Sequence, residues 1–180
     1  MSAVTAAVVQ WVRAFVIGHG LCPFAARPMR AGRVVFTEVG AADTEQLFYA
    51  TLEHLRAFVD PAASTAEASD PVSDGSAETY LLIYPDDLAD FDDFLDFVAT
   101  VEDFLAQSGA DALVQLAHFH PRYRFADAAD EDPGNRTNRS PYPVLQLLRV
   151  DGVARAVAAY PDVAGIPQRN VALMRALFSA

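Results

Sequence analysis

The chain has 180 residues and a mass of 19.5 kDa, the size of one domain. Apolar residues make up 52% of the sequence, enough to bury a substantial core. A net charge of −11 argues against nucleic acid or an anionic membrane as the main partner, because both are negatively charged. Cys22 is the single cysteine, so no internal disulfide can form and we expect a cytoplasmic protein.

The N-terminal apolar stretch predicts an amphipathic helix rather than a signal peptide, because Gln10 and Arg13 interrupt it and no basic segment precedes it. No run reaches the roughly 18 apolar residues that a membrane span requires. Hydrophobic periodicity and capping residues then predict the remaining elements. In chain order we expect a helix over 3–17, a strand over 33–39, a helix that begins at Asp43 or Thr44, a strand over 79–84, a helix over 87–107, strands over 112–119 and 144–149, and helices over 151–159 and 167–178.

Strands that are joined through helices favour parallel neighbours, whereas the third and fourth strands have no helix between them and favour an antiparallel pair. We therefore expect one α+β domain over residues 1–180, a two-layer sandwich in which helices pack on a mixed four-stranded sheet. A ferredoxin-like arrangement is compatible with this order. Residues 60–78 are small and polar, which predicts a flexible surface insertion. The acidic face of the 87–107 helix is typical of a solvated surface.

A polar loop over 118–143 concentrates the chain's cations. All 13 basic residues are arginines, and five of them fall in or next to this loop: Arg122, Arg124, Arg136, Arg139 and Arg149. Guanidinium forks match carboxylate and phosphate groups, and the neighbouring Asn135, Asn138 and Ser140 offer short hydrogen-bonding arms. The loop therefore predicts a site for a small anion. Alternatively, its arginines pair with the upstream acids Asp127, Asp130, Glu131 and Asp132. The two interpretations are compatible, because the acids can orient arginines that bind a ligand.

Four other side chains are candidates for catalysis or metal binding. His118 and His120 are two residues apart, so they leave the same face of a strand and can hold a divalent metal; the alternative is a structural pair. Cys22 is either a nucleophile activated by His19 or His120, or a small buried apolar residue. Tyr123 can take part in proton transfer, and Glu78 is the acid nearest the predicted sheet. The pattern of a phosphate-binding loop is absent, so no nucleotide cofactor is expected.

The segments GLCPFA, ETYLLIYP, HFHPRYRF and NRTNRSPYPVLQLLR together resemble a bacterial and plastid family known as domain of unknown function 1415. The resemblance covers nearly the whole chain and supplies no reaction. It implies that the functional residues lie at the motif positions Cys22, Pro23, Glu78, His120, Pro121, Tyr123, Asn135, Thr137, Asn138, Arg139, Ser140 and Arg149.

This chain departs from the family pattern at three positions. Relatives carry a histidine at the position of Gln146, a glutamate at that of Val150, and a small residue at that of His118. If the third and fourth strands pair, positions 118 and 146 become neighbours. We then expect His118 of this chain to take the place of the histidine that relatives carry at position 146 of the adjacent strand. A site with two histidines is then retained.

The favoured interpretation is a small cytoplasmic enzyme that acts on an anionic carboxylate or phosphate metabolite, with a divalent metal as a candidate cofactor. In it, the loop and Arg149 bind the anion, while His120, Cys22, Tyr123 and Glu78 supply the chemistry. The alternative is a non-catalytic anion-binding or regulatory module. In a third interpretation the loop is a structural plug of hydrogen-bonded polar groups.

Overall fold

The computed structural model describes residues 1–60 and 77–179. The predicted insertion over 60–78 lies for the most part outside the described residues. The helices are α1 Ala3–Gln10, α2 Ala26–Arg30, α3 Thr44–Val59, α4 Phe91–Ser108, α5 Val150–Ala158 and α6 Ile166–Phe178, and the strands are β1 Val34–Glu38, β2 Thr79–Ile83, β3 Val114–Phe119 and β4 Val144–Arg149. A π-helix over Trp11–Ile17 continues α1, and 3₁₀ turns occupy Ala110–Ala112 and Pro133–Asn138.

The four strands form one mixed sheet in the order β1-β2-β4-β3. β1 and β2 are parallel, whereas β4 is antiparallel to both β2 and β3. The α+β class, the mixed sheet and the β3–β4 pairing are therefore confirmed. The order of elements is β-α-β-α-β-β, unlike the β-α-β-β-α-β order of a ferredoxin-like fold, so that arrangement does not form.

Helices cover both faces of the sheet because its two central strands are apolar on both sides. Leu82 and Leu145 belong to the main core with α3 and α4. Leu81, Ile83 and Val144 project to the other face, where α1 and the π-helix pack on them. The predicted two-layer sandwich is thus extended by a partial third layer of N-terminal helix.

Strand direction defines two ends of the sheet, and the predicted site residues are divided between them. What we call the upper end holds the last residues of β1, β2 and β3 and the first residue of β4, Val144. The lower end holds the first residues of those three strands and the last residue of β4, Arg149. A strand of five or six residues separates the two ends by about 15–20 Å.

α4 begins at Phe91, four residues later than predicted, because the Asp90 carboxylate caps it by accepting the backbone N–H groups of Asp92 and Asp93. Before the cap the chain turns sharply, and Leu88 has a φ of 57°, a left-handed conformation that non-glycine residues rarely adopt. Within the described part of the chain, no helix has the length and apolar character needed to cross a membrane.

Candidate functional site

A pocket of about 350 Å³ opens at the upper end of the sheet, between the start of α4 and the polar loop. We call it the arginine pocket, and its lining residues are Asp90, Phe91, Asp92, Pro121, Arg122, Arg124, Asp130 and Arg139. It lies where β2 and β3 end and where the N-terminus of an 18-residue helix begins. Helix N-termini favour negative charge, so position and arginine content point to the same kind of ligand.

Arg139 is oriented by neutral acceptors. Its Nε donates to the Tyr123 carbonyl at 3.1 Å, and its Nη2 donates to the Asp130 carbonyl at 2.7 Å. The residue is half-buried. Arg139 forms no ion pair with any residue that the structure describes. Its fork is therefore positioned by backbone carbonyls, while its positive charge has no direct counter-charge.

The other two guanidinium groups of the pocket are paired with acids. Arg122 contacts Asp90 at 3.0 Å and also donates to the Ala89 carbonyl. Arg124 contacts Asp130 at 3.0 Å and lies 3.9 Å from Asp92. The predicted self-pairing is thus confirmed for Arg124 and Asp130.

After these pairings, Arg139 is the half-buried cation of the pocket that has no ion pair among the described residues. Asp92 has only the 3.9 Å contact with Arg124, which is already paired with Asp130. The Asp92 side chain is 80% exposed, so water screens its charge more than that of Arg139. Asp132, another predicted partner of the loop arginines, instead contacts Arg175 of α6 with both oxygens. The Arg175 hydrogen bonds hold the pKa of Asp132 at about 2.

The three predicted ligand-binding residues with short polar side chains hold the loop itself. Asn135 is completely buried; its Oδ1 accepts from the Phe125 backbone N–H, and its Nδ2 donates to the Ala129 carbonyl. Ser140 is also buried and donates to the Tyr142 carbonyl. Asn138 donates from Nδ2 to the His118 carbonyl at 3.5 Å, and its side chain also forms a hydrogen bond with the Tyr123 phenol. These bonds build the wall that carries Arg139.

His120 has both ring nitrogens engaged. The Arg122 backbone N–H donates to Nδ1 at 3.0 Å, so Nδ1 is an acceptor and carries no proton. Nε2 then donates to the Leu88 carbonyl at 3.1 Å. The ring is completely buried and stacks on Phe94. Burial lowers the pKa of His120, in agreement with a neutral ring. In this arrangement His120 positions the pocket's walls, and neither nitrogen is free to accept a substrate proton.

His118 lies on the same sheet face as His120, and both rings contact Phe94. Its Nδ1 is buried and has no hydrogen-bond partner among the described residues. Burial lowers its pKa too. Among the described residues, no group of three or more His, Cys, Asp and Glu side chains lies together as a metal site. A metal-binding role for His118 and His120 stays a prediction.

The expected exchange between positions 118 and 146 is wrong. His118 pairs with Leu145, and Gln146 pairs with Ala117, so the side chains at 118 and 146 leave opposite faces of the sheet. Gln146 instead donates to Thr79 on the face that α1 covers. Because His118 is paired with the residue next to Gln146, the side chains at 118 and 146 lie on different faces of the sheet.

Two predicted site residues lie at the lower end of the sheet, away from the arginine pocket. Glu78 precedes β2 and forms an ion pair with Arg33 at 3.0 Å. Arg149 ends β4; it donates to the Ala77 and Phe58 carbonyls and stacks on the Phe58 ring. A single site cannot contain these residues together with His120 and Arg139. Arg149 instead ties the end of α3 to the start of β2.

Cys22, Tyr123 and Arg136 have separate surroundings. Cys22 follows Leu21, whose carbonyl is held by Asn170 of α6, and burial raises the pKa of its thiol. It does not line the arginine pocket. Tyr123 supplies a carbonyl to Arg139, and burial raises the pKa of its phenol. Arg136 is exposed and stacks on the Phe178 ring at 4.4 Å.

Sequence reasoning missed the side of the pocket that α4 provides, namely Asp90, Phe91 and Asp92. A signal for it was present, because an aspartate before a periodic apolar run marks the start of a helix, and helix N-termini attract anions. Their proximity to the polar loop depends on the placement of β4 between β2 and β3, which local patterns do not reveal.

Comparison with known proteins gives one match. No curated protein and no solved structure matches the chain significantly. The model of a family described as "Protein of unknown function (DUF1415)" matches residues 3–180. The match spans both halves of the sheet and the whole polar loop, so the chain belongs to this family.

Proposed function

We propose that the protein binds a small carboxylate or phosphate compound in the arginine pocket. The observation that carries the proposal is the state of Arg139, a half-buried guanidinium that backbone carbonyls orient and that no described carboxylate neutralises. A bound anion would supply the missing counter-charge. The Asp90 carboxylate already caps the N-terminus of α4 and the other two arginines of the pocket are paired with acids, so Arg139 would be the main charged partner of the anion.

The pocket volume of about 350 Å³ suits a metabolite of a few carbon atoms rather than a polymer. The chain's net charge of −11 repels anions at long range, so affinity must come from this local arrangement. Screening by salt will act on it less than on surface pairs, because Arg139 is half-buried.

The test is titration calorimetry with inorganic phosphate and, separately, with succinate. Arg139→Gln should weaken binding about tenfold or more, since hydrogen bonds to charged groups contribute about 1.5–3 kcal/mol. Arg136→Gln is the matched control, because it removes the same charge from an exposed residue outside the pocket. Equal weakening by both variants, or the absence of saturable binding by the parent protein, would contradict the proposal.

Asp92→Asn provides a second test, in which the affinity for the anion should rise and not fall. Removal of this exposed carboxylate from the pocket's rim should strengthen anion binding, because it removes a repulsive charge. Asp127→Asn removes the same charge from an exposed position that does not line the pocket. Binding that responds equally to both changes would indicate bulk electrostatics rather than a defined site.

Catalysis on the bound anion is the second candidate function. The observation that favours it is Asp92, a solvent-accessible carboxylate in the same pocket as Arg139, placed to accept a proton from a bound substrate or water. In this mechanism Arg139 binds and Asp92 acts as the base, while His120 positions the walls. A catalytic role predicts that Asp92→Asn abolishes turnover while anion binding persists.

A further inference from the structure

A second cavity lies between α3 and α4, on the outer side of the main core. We call it the helix groove; it encloses about 590 Å³ and is distinct from the arginine pocket. Phe48 of α3 and Phe97 of α4 form its apolar part, with Leu88 beside them. Phe97 is buried and forms the floor of the groove, whereas Phe48 and Leu88 are half-buried and offer the apolar surface that a partner can reach.

Carboxylates flank this apolar part on both helices. Glu45 lies one turn before Phe48 on α3, and Asp93 and Asp96 lie along α4 beside Phe97. None of the three forms an ion pair with a described residue. This contrasts with the arginine pocket, where the acids are largely paired with arginines. The groove thus has an apolar centre and unneutralised negative charge on both sides.

The accessible aromatic surface continues beyond the groove. The rings of Tyr49 and Phe104 contact the Phe48 ring, at 5.8 and 6.0 Å between centroids. Tyr49 is 57% exposed and Phe104 is 39% exposed. A small molecule held in the groove would leave these two rings in water. A longer occupant would cover them, which favours a polypeptide segment.

We propose that the helix groove binds a basic amphipathic helix of a partner protein. Apolar side chains of the partner helix would pack on Phe48 and Leu88, and its arginine or lysine side chains would pair with Glu45, Asp93 and Asp96. The α4 residues that line the groove run from Asp93 to Thr100, about 10 Å or two helical turns. Helix-in-groove recognition needs apolar anchors at this spacing, and complementary charge selects the partner and speeds its association.

The test uses a fluorescently labelled 14-residue peptide of leucine and arginine, with leucines spaced to form one helical face, and measures its anisotropy with the parent protein. A scrambled peptide of the same composition keeps the charge and loses the apolar face. The parent protein should bind the amphipathic peptide and not the scrambled one. Equal binding of the two peptides would overturn the proposal, since only non-specific attraction would then be present.

Two matched triple variants test the location. Glu45→Gln with Asp93→Asn and Asp96→Asn should weaken peptide binding about tenfold, whereas Asp111→Asn with Asp127→Asn and Glu131→Gln removes equal charge elsewhere and should change it less than about twofold. Equal weakening by both triples would overturn the proposal. So would displacement of the peptide by equimolar spermidine, which would identify a site for small cations.

A variant with changes at Tyr49 and Phe104 tests whether weaker peptide binding comes from lost contacts or from unfolding. Tyr49→Ser and Phe104→Ser change accessible side chains and should leave the thermal unfolding temperature close to that of the parent. Combined, they should weaken the peptide severalfold, because the partner loses apolar contact area. Unchanged peptide binding by this folded variant would overturn the proposal that a helix extends over the rings.

Discussion

His120 lies completely buried at the upper end of β3 and links three parts of the pocket. Its ring nitrogens bond to the carbonyl of Leu88, which has a left-handed backbone conformation, and to the backbone N–H of Arg122. The Arg122 side chain in turn donates to the Ala89 carbonyl and to the carboxylate of Asp90, the cap of α4. A protonated ring would turn Nδ1 into a donor that faces another donor. The neutral ring is therefore part of the folded structure.

This arrangement predicts a pH dependence of stability. Burial lowers the pKa of His120 from its ordinary value of 6.5, so its stabilising contribution is complete above that value and is lost as the pH falls through the lowered pKa. His118 acts in the same direction. Urea unfolding at about pH 7.5 and about pH 5.5 should show a smaller free energy of unfolding at the lower pH.

The variant His120→Gln should reduce this difference between the two pH values, because it removes one of the two histidines whose pKa is lowered by burial. His19→Gln changes an exposed histidine and serves as the control. A pH difference that His120→Gln leaves unchanged would show that the ring does not couple to folding.

The sequence predicted that His118 and His120 share a face, and the structure confirms it, because alternation along a strand depends on nothing outside the strand. The relation between His118 and Gln146 was not predictable in the same way. Whether two residues on different strands share a face depends on register, and a shift by one residue reverses the answer.

At the scale of elements, the C-terminal helix α6 is attached through polar contacts to distant parts of the chain. Asn170 is buried and donates to the Leu21 carbonyl at 2.7 Å, and Arg175 holds Asp132 beside the 3₁₀ turn that supports the polar loop. α6 therefore joins the segment that contains Cys22 to the loop that contains Arg139.

Asn170→Ala should lower the free energy of unfolding by about 1–3 kcal/mol, because it leaves the buried Leu21 carbonyl without its donor. Gln168→Ala, at an exposed position two residues earlier, should have little effect and is the control. Chemical denaturation of the two variants measures both values. A similar small change in each would mean that the Asn170 hydrogen bond contributes nothing net.

Each strand and each long helix that the structure describes was predictable, the helices from their apolar period and the central strands from short, nearly continuous apolar runs. The 3₁₀ turn at Pro133–Asn138 and the short helix α2 were not, because their conformations depend on side-chain caps and on tertiary contacts. Within the turn, Asp132 accepts the Gly134 backbone N–H and Thr137 donates to the Gly134 carbonyl. The amino-acid composition of this segment identifies it only as a polar loop and does not predict its conformation.

At the scale of the whole molecule, the sheet separates two groups of arginines that the sequence places close together. Arg139 lies at the upper end beside the pocket, and Arg149 lies at the lower end among backbone carbonyls. Arg149 is the last residue of β4, and this strand carries the chain from the upper end of the sheet to the lower end. Proximity in sequence was therefore misleading about membership in a common site.

This separation predicts opposite phenotypes for two like substitutions. Arg149→Gln should lower the free energy of unfolding by about 1–3 kcal/mol, because the Ala77 and Phe58 carbonyls lose a charged donor, and it should leave phosphate affinity unchanged. Arg139→Gln should weaken phosphate binding. Denaturation and calorimetry on both variants give the four values. Loss of phosphate affinity in Arg149→Gln, in protein that remains folded, would place both arginines in one site.

A titration of the protein with inorganic phosphate, followed through the NMR signals of the arginine Nε–H groups, shows directly whether Arg139 binds an anion. Arg139→Gln and Arg136→Gln assign the signals of these two residues. Binding in the arginine pocket predicts a saturable shift of the Arg139 signal, while the Arg136 signal moves little. Equal, non-saturating shifts of all arginine signals would contradict it, because phosphate would then be acting as bulk salt.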